Sequence, residues 1–296
     1  MCNLLLDNDL KFVSNVLFII GNGFDISHGI KSRYENFKEY LVSQKKNSLL
    51  FFLETLFDNS GTLWSDLENT LGKYDPETIL DECRPDEDID FDHYMQSTAA
   101  VEDSPFSILE PTLDELKAEF AKWVNSISLD GVEQKFINLS PSSLYLTFNY
   151  LETLEKIYHI SGSNVFHIHG SRIDHSEYIF GHNNFRKNQY VDNDDIPNYE
   201  EEGRSNIMNI MNEFVKPYDQ IVRRCPLFQI NLQTIRKIVV VGHSLSESDW
   251  PYFRKIQKHI MPQVPWRISY HSRKNISSIN EKCLKLNIRN YELFEI

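Results

Sequence analysis

Short apolar runs alternate along this chain with longer segments in which apolar residues return every three or four positions. The short runs predict buried strands, and the spaced segments predict helices with one buried face. The predicted strands are 16–20, 143–148, 164–168, 177–180, 237–241, 266–270 and 288–294, and the predicted helices include 48–58, 65–72 and 276–286. This alternation indicates an α/β fold with a mainly parallel sheet flanked by helices.

Two stretches modify this pattern. Ser32-Arg33-Tyr34-Glu35 fits a capping box that opens the first long helix, with Ser32 as its N-cap. Residues 75–110 are different, because nine acidic residues and one basic residue, Arg84, fall between Asp75 and Asp92. That segment fits a long loop, an insertion or a helical lid. We expect a single α/β domain over residues 1–296, with a helical and acidic insertion at 42–140 packed on it.

The formal charge of −13 is unevenly distributed along the chain. Residues 1–203 hold 15 Lys and Arg against 36 Asp and Glu, whereas residues 204–296 hold 15 against 7. Because phosphate contacts need cations, the acidic part argues against general nucleic-acid binding. The basic part is suited to a nucleotide, a partner protein or a second copy of the chain, and two differently charged solvated faces explain it equally well.

Composition and the N-terminal residues also indicate the cellular compartment. Hydrophobic residues make up 41% of the chain, enough for a sizeable core. There is no apolar run of about 18 residues, so no membrane span is expected. The N-terminal MCNLLLDNDLKF carries acids where a signal peptide carries basic residues. Cys2, Cys83, Cys225 and Cys283 form no zinc-type pair. We therefore expect a cytoplasmic protein with free thiols.

Polar signatures follow four of the predicted strands. They are Gly21-Asn22-Gly23-Phe24-Asp25, Asn149-Tyr150, His169-Gly170 and Gly242-His243-Ser244. In an open α/β sheet, ligands bind outside the carboxyl ends of the strands. Four such ends in one chain predict one site assembled from distant segments.

The first signature is an incomplete phosphate-binding turn. Glycines let backbone N–H groups approach a phosphate, and the following helix offers its positive end. The third glycine of a dinucleotide fingerprint is replaced by Ile26. Asp25 would repel a phosphate, so we place it against ribose hydroxyls or a water; a plain turn with Asp25 bound to the backbone is the alternative. His169 ends a strand, where a catalytic group is expected, whereas His167 is expected to pack in the sheet.

These motifs together resemble the AbiH family of bacterial abortive-infection proteins, which act in antiviral defence. The resemblance rests on Ile19–Asp25 with His28-Gly29, Trp64–Glu68, Thr147–Tyr150 followed by Thr153-Leu154-Glu155, His167–Gly170, Phe180–His182, and Val241–Leu245 with Asp249. They occur in this order and span nearly the whole chain. The resemblance implies a role in defence against bacteriophage.

The family in turn resembles, more distantly, the Rossmann-like NAD-binding fold of sirtuins. Gly21 and Gly23, Thr147 and Asn149, and His169 and Gly170 would fill the sirtuin roles. The resemblance implies an Asn that positions the nicotinamide ribose or a water, and a His that acts as general base. The sirtuin zinc cysteines are missing, so protein deacylation is not expected. It implies instead that the chain binds NAD as substrate or ligand and hydrolyses the nicotinamide–ribose bond without a metal.

The expected site therefore has two groups of residues. His169, Asn149 and Asp25 are the expected catalytic residues. The nucleotide-binding residues are expected to be Gly21, Asn22, Gly23, Phe24, Thr147, Gly170, Gly242, His243 and Ser244.

Two other functions remain open at this point. In the first, Asp25, His28, His169, His182 and His243 gather as ligands of a metal-dependent phosphoesterase or nuclease. In the second, the chain is a non-catalytic nucleotide sensor in defence, in which the acidic and basic parts pair between subunits or with a partner protein.

Overall fold

The structure, a computed structural model, describes residues 15–57, 61–83, 94–136, 139–173, 178–187 and 198–296. These residues contain six strands and eleven helices. The strands are β1 (Val16–Ile20), β2 (Leu144–Thr147), β3 (Val165–His167), β4 (Lys237–Val241), β5 (Trp266–Tyr270) and β6 (Tyr291–Glu295). The helices are α1 (Asn22–Ser27), α2 (Tyr34–Ser43), α3 (Asn47–Phe57), α4 (Leu67–Leu71), α5 (Pro76–Cys83), α6 (Tyr94–Ser126), α7 (Thr153–Tyr158), α8 (Asn198–Glu213), α9 (Tyr218–Arg224), α10 (Trp250–His259) and α11 (Ile276–Lys285).

The six strands form one sheet in the order β3-β2-β1-β4-β5-β6. Every pairing is parallel, so the sheet is wholly rather than mainly parallel, and the predicted α/β class is confirmed. β1 lies at the centre, and all five of its residues are buried because helices cover both faces. This strand order is that of a doubly wound Rossmann-like sheet, whose order reverses between β1 and β4.

The two faces of the sheet are covered by different helices. One layer joins alternate β1 residues to helices α1 and α7 through Val16, Phe18, Ile20, Phe24, Leu154 and Tyr158. The other layer joins the remaining β1 residues to α10 through Leu17, Ile19, Tyr252, Phe253 and Ile256. The carboxyl ends of β1 and β4 therefore lie between two layers that contain different helices.

The chain divides into two compact units. The first contains the described residues of Met1–Arg33, Val124–Ile179 and Pro217–Ile296, and it holds the whole sheet. The second contains those of Tyr34–Trp123 and Phe180–Lys216 and is mainly helical. Its first segment overlaps the insertion expected at 42–140, but begins and ends earlier, and a second segment joins it. No helix among the described residues is long and apolar enough to span a membrane.

The acidic segment 75–110 is largely helical where the structure describes it. Helix α5 occupies Pro76–Cys83, and α6 begins at Tyr94 and continues to Ser126. Residues 84–93, which hold several of the acidic side chains, lie outside the described residues.

Two local predictions are wrong. The strand expected at 177–180 does not form over residues 178–180, and residue 177 lies outside the described residues. Ile179 instead donates its N–H to the His169 carbonyl oxygen and accepts a hydrogen bond from the Tyr150 hydroxyl, so its backbone groups do not pair with another strand.

The helix cap expected at Ser32 is not formed. Helix α2 begins at Tyr34, and the Ser32 hydroxyl has no hydrogen-bond partner among the described residues.

Candidate functional site at the carboxyl edge of the sheet

The glycine turn after β1 is hydrogen-bonded to the turn after β4. The Gly21 N–H donates to the Val241 carbonyl oxygen at 3.0 Å, and the Gly23 N–H donates to the Gly242 carbonyl oxygen at 2.7 Å. The sequence pattern predicts that such N–H groups face a phosphate. The fold instead uses them to join the two strand ends across the point where the strand order reverses.

Close backbone approach is the reason for glycine at these positions. A Cβ on Gly21 would lie 2.5 Å from the His243 Cα, and one on Gly23 would lie 2.7 Å from the Gly242 oxygen. At Gly242 the φ angle is +66°, and a Cβ there would lie 2.1 Å from the Phe24 nitrogen. The glycines therefore allow the two turns to come into contact. The sequence pattern alone does not distinguish this packing role from phosphate binding.

Asp25 is a buried carboxyl group beside the β2 end. It is 1% exposed, and burial raises its pKa to about 7. The neighbouring side chains of Thr153, His167, Asn149 and Arg172 act against this and lower the pKa. Its Oδ1 atom has no hydrogen-bond partner among the residues that the structure describes. A carboxyl group with a pKa near neutrality can act as acid or base.

Asn149 connects Asp25 to the β1 turn. Its Nδ2 donates to the Gly21 carbonyl oxygen at 3.2 Å, and its backbone N–H donates to Thr147 Oγ1 at 3.1 Å. The Asn149 Oδ1 atom is also buried without a partner in the described part of the chain. The side chain is thus fixed by the nitrogen end of its amide.

His167 is held between two acceptors. Its Nδ1 lies 2.9 Å from the Asn149 carbonyl oxygen, and its Nε2 lies 2.9 Å from a Glu155 carboxylate oxygen. Because neither partner can donate, both contacts are hydrogen bonds only when the imidazole carries two protons. His167 packs in the sheet as the last residue of β3, as expected, and its ring also contacts two acceptors there.

Arg172 and Lys156 form ion pairs with the buried Glu152. The Arg172 Nε donates to Glu152 at 2.5 Å, its Nη1 donates to the Ile127 carbonyl oxygen, and Lys156 binds the other Glu152 oxygen at 2.7 Å. These side chains border an open cavity of about 410 Å³. The cavity is lined by Asn125, Ser128, Leu129, Asp130, Glu152, Lys156, Ile157 and Arg172.

Two histidines share one carboxylate at the same edge of the sheet. The His243 Nε2 lies 3.3 Å from Asp249 Oδ2, and the His169 Nε2 lies 3.8 Å from Asp249 Oδ1. All three residues are at least nine-tenths buried. The Phe148 ring meets both imidazoles edge-on, with centroids 4.4 Å from His243 and 5.3 Å from His169.

His28 has a structural role. The Tyr158 hydroxyl oxygen accepts the N–H groups of Lys135 and Phe136, so its own hydrogen is directed to His28 Nε2 at 2.6 Å. The His28 Nδ1 then donates to the Phe24 carbonyl oxygen at 2.7 Å. Burial lowers the pKa of His28, which favours this neutral form. The ring joins α1 to α7 and to the segment before β2.

Comparison of the sequence with known families found a match. The family model described as bacteriophage abortive infection AbiH matches residues 17–270, which cover β1 to β5 except for Val16, and the turns that carry His169 and His243. The chain belongs to the AbiH family. No curated protein matches the sequence of this AbiH-family chain.

The expected catalytic residues of this AbiH-family chain lie in two clusters at one edge. The Asp25 cluster, made of Asp25, Asn149, Thr153 and His167, lies beside α1 and α7. The Asp249 cluster, made of His169, His243 and Asp249, contacts Phe148 and the Tyr252 of α10. Since these helices cover opposite faces of the sheet, the clusters flank the crevice between β1 and β4.

Other predicted binding residues are used by the fold in different ways. The Asn22 Nδ2 donates to the Ser32 carbonyl oxygen, and Phe24 stacks on Phe136 with centroids 5.1 Å apart. Gly170 has a φ angle of +88°, which permits the turn after His169. Ser244 is exposed, and its carbonyl oxygen accepts a hydrogen bond from Lys282. Whether these residues bind a nucleotide remains a prediction.

Reasoning from residues alone missed several members of the clusters. Thr153 and Glu155 belong to the first turn of α7 just after Asn149, and Arg172 follows Gly170. Asp249 appears in the sequence only as part of the family motif, yet it is the N-cap of α10, which has Pro251 in its first turn. A search for acidic residues at the helix starts after β2 and β4 would have found Glu155 and Asp249.

Two of the expected metal ligands lie in surroundings that favour a neutral imidazole. His28 is engaged with Tyr158 and burial lowers its pKa, and burial lowers the pKa of His182 to about 4. Within the described ranges, no group of three or more His, Cys, Asp or Glu side chains is arranged to hold a metal ion.

Proposed function

We propose that this AbiH-family protein acts in abortive infection by binding NAD at the carboxyl edge of the sheet and hydrolysing its nicotinamide–ribose bond. The observation that carries the proposal is the pair of buried oxygens, Asp25 Oδ1 and Asn149 Oδ1, without partners among the described residues. An unpaired buried acceptor costs about 1–3 kcal/mol, so such a pair is suited to a ligand with two donors. The two hydroxyl groups of a ribose are such donors.

The position of these oxygens supports a nucleotide. They follow β1 and β2, beside the point where the strand order reverses, and that crevice is where doubly wound sheets bind dinucleotides. Since the N–H groups of Gly21 and Gly23 are used within the fold, the phosphates need other partners. The exposed Ser244 and the neighbouring Lys282 ammonium group provide a cationic position at the β4 turn.

The chemistry requires few protein groups. The bond between ribose C1′ and the nicotinamide nitrogen breaks, and its electron pair stays with nicotinamide. The oxygen of a water bonds to C1′, and the proton lost by that water passes to a base. In this proposal Asp25 and Asn149 orient the ribose, and His169 is the base. The resemblance of Thr147-Asn149 and His169-Gly170 to sirtuin motifs supports the same roles.

Nicotinamide release from NAD by the purified protein tests the proposal, alone and with extract of phage-infected cells. A positioned base contributes roughly 10²–10⁴-fold to rate, so His169→Ala should reduce release by that factor. Asp219→Asn, which changes an exposed carboxylate on α9, should leave release unchanged. Failure of the native protein to release nicotinamide under both conditions would contradict NAD hydrolysis.

The pH dependence of NAD binding separates binding from turnover. Ribose hydroxyls donate to the ionised form of Asp25, whose pKa is about 7, so affinity should rise as pH increases from 6 to 8. Asp25→Asn should bind more weakly and lose this dependence, as isothermal calorimetry would show. Tight binding without nicotinamide release would instead identify a nucleotide sensor.

A further inference from the structure

Strand β6 forms an open edge of the sheet. It is the last strand in the sheet order, and β5 is its only strand neighbour among the described residues. Many edge strands are protected by shortness, lysine, proline or a bulge, because an open edge is a template for pairing with another chain. β3, at the other edge, has three residues, whereas β6 has five, with no lysine or proline and an unbroken register with β5. The β6 edge is therefore suited to pairing with a further strand.

The register with β5 shows which backbone groups of β6 face outward. The Trp266 N–H donates to the Asn290 carbonyl oxygen, and the pairing continues in register to Glu295. Backbone groups alternate between the two sides of a strand, so those of Asn290 and of every second residue after it face β5. The outward N–H and C=O groups therefore belong to Tyr291, Leu293 and Glu295.

These outward groups are symmetric about Leu293. In an antiparallel pair of two β6 strands centred on Leu293, Tyr291 of each copy lies opposite the partner's Glu295, and each outward N–H meets a carbonyl oxygen. Glu292 then lies opposite the partner's Phe294, so no two carboxylates oppose each other. The edge is thus complementary to a second copy of itself.

Charge favours the same pairing. Glu295 is exposed near one end of β6, and Arg289 is exposed just before the other end. In the antiparallel pair, Glu295 lies diagonal to the partner's Arg289, a separation that a long side chain bridges. The Arg289 Nε donates to Asn287 Oδ1 at 2.9 Å, so this contact would use the terminal nitrogens of the guanidinium. The twofold symmetry forms the contact twice.

Helix α11 places an exposed apolar side chain beside this edge. The Tyr291 hydroxyl donates to Asn280 Oδ1 at 2.9 Å, so the Asn280 side of the helix faces β6. Leu284 follows one turn later on the same side, and it is 75% exposed. A single exposed leucine is common on a protein surface, but this one adjoins an open strand edge. Pairing would place it against the partner, near the carboxyl end of the partner's β6.

We infer that two copies of this AbiH-family chain associate by antiparallel pairing of their β6 strands, about a twofold axis at Leu293. The two sheets then become one continuous sheet, with an α11 helix of each copy beside the junction. The inference is independent of the proposed function, since β6 contains none of the residues of the two clusters.

Sedimentation velocity over a concentration series tests the association. Native protein should approach a dimer as its concentration rises. Leu284→Lys should raise the dissociation constant of the dimer by about 10-fold or more, because apolar burial is lost in both copies. Ile173→Lys is the matched control: Ile173 is also exposed, but it follows β3 at the other edge of the sheet, so the constant should not change. Native protein that stays monomeric, or equal effects of the two substitutions, would overturn the inference.

An exchange of charges tests the register. Glu295→Arg alone and Arg289→Glu alone should each raise the dissociation constant by roughly 3–10-fold, because each brings like charges together twice in the dimer. The double variant with both substitutions should return to the native constant, since the opposite charges meet again. Circular dichroism checks that each variant is folded. A double variant no tighter than the single ones would rule out pairing about Leu293.

Discussion

Gly242 shows how strictly single positions are determined at the carboxyl edge. Its left-handed φ angle disfavours any residue other than glycine. Steric contact excludes other residues as well, because a Cβ at this position would lie 2.1 Å from the Phe24 nitrogen. Gly29 has a similar φ angle of +78°, but nothing lies within 4 Å of its Cβ position. The two glycines therefore separate the effect of conformation from that of steric contact.

Replacement of each glycine by alanine measures the two effects. Gly29→Ala should lower the free energy of unfolding by about 1 kcal/mol, the usual cost of a left-handed alanine. Gly242→Ala should cost at least about 4 kcal/mol or prevent folding, since backbone must move. Urea unfolding followed by circular dichroism gives both values. Equal losses would show that the contact with the β1 turn relaxes easily.

Asp25 links stability to pH in an unusual direction for a carboxyl group. Its ordinary pKa of 3.8 applies to the unfolded chain, and its pKa in the fold is about 7. Between these values only the folded state holds the proton, so the free energy of unfolding falls as pH rises, by up to about 1.4 kcal/mol per unit. This contribution is complete below pH 4 and lost above pH 7.

Asp25→Asn should remove that dependence. Relative to the native protein, the variant should become more stable by roughly 2–3 kcal/mol between pH 5 and pH 8, because it has no carboxyl group to ionise. Guanidinium unfolding of both proteins at the two pH values measures the difference, in which the titration of other groups cancels. A difference that does not change with pH would indicate an ordinary pKa for Asp25.

At the scale of elements, the Tyr158 hydroxyl joins α7 to α1 and to the segment before β2. Tyr158→Phe leaves the Lys135 and Phe136 N–H groups and His28 without this partner, so the expected loss is about 2–4 kcal/mol. Tyr145→Phe is the matched control, because it removes one hydrogen bond, to the Ser140 carbonyl oxygen, and should cost about 1 kcal/mol. Thermal unfolding compares them. A larger loss in the control would contradict the assigned role.

The strands were the elements best predicted from sequence, because buried parallel strands are short continuous apolar runs. Residues 178–180 were wrongly predicted to be part of a strand. An apolar run does not reveal that the backbone of Ile179 forms hydrogen bonds with His169 and Tyr150 instead. The length of α6 was also missed. Its sequence contains Pro105 and Pro111, which usually end helices, but α6 continues through both. Pro105 removes the N–H that would reach the Val101 carbonyl oxygen, and the Ser104 hydroxyl donates to that oxygen at 2.9 Å.

The candidate site was predictable only in its location. Strand-end signatures placed Asp25, Asn149, His169 and Gly242 at one edge, because parallel strands bring their carboxyl ends together. The separation into two clusters depends on which layer each following helix joins, and sequence periodicity does not specify that. The use of the glycine N–H groups depends on the contact between β1 and β4 turns from opposite ends of the sequence.

At the scale of the whole molecule, the charge follows the two units. The first unit holds 19 Lys and Arg against 15 Asp and Glu, and the second holds 11 against 28. The acidity that argued against phosphate binding in the sequence therefore belongs to the second unit. The unit that contains both clusters has a small positive balance, which is compatible with an anionic nucleotide.

The buried cysteines report on each unit separately. Cys83 belongs to the second unit, and Cys225 and Cys283 belong to the first; all three are free thiols. Burial raises the pKa of Cys83 and Cys283 to about 11, so at pH 8 their thiolate fractions should be about 100-fold below that of an ordinary cysteine. In a Cys2→Ser background, a disulfide reagent should modify them only slowly until urea is added. Rapid labelling of one thiol would locate early opening in its unit.

The central position of β1 also has a consequence during synthesis. It pairs with β4, which begins at Lys237, so the ribosome adds about 220 residues before that neighbour exists. At about 5–20 residues per second, an emerging VLFII segment waits roughly 10–45 s with one edge unpaired. An apolar strand with an open edge is a template for aggregation. Newly made chains should therefore depend on chaperones until translation passes β4, and fragments that stop earlier should be insoluble.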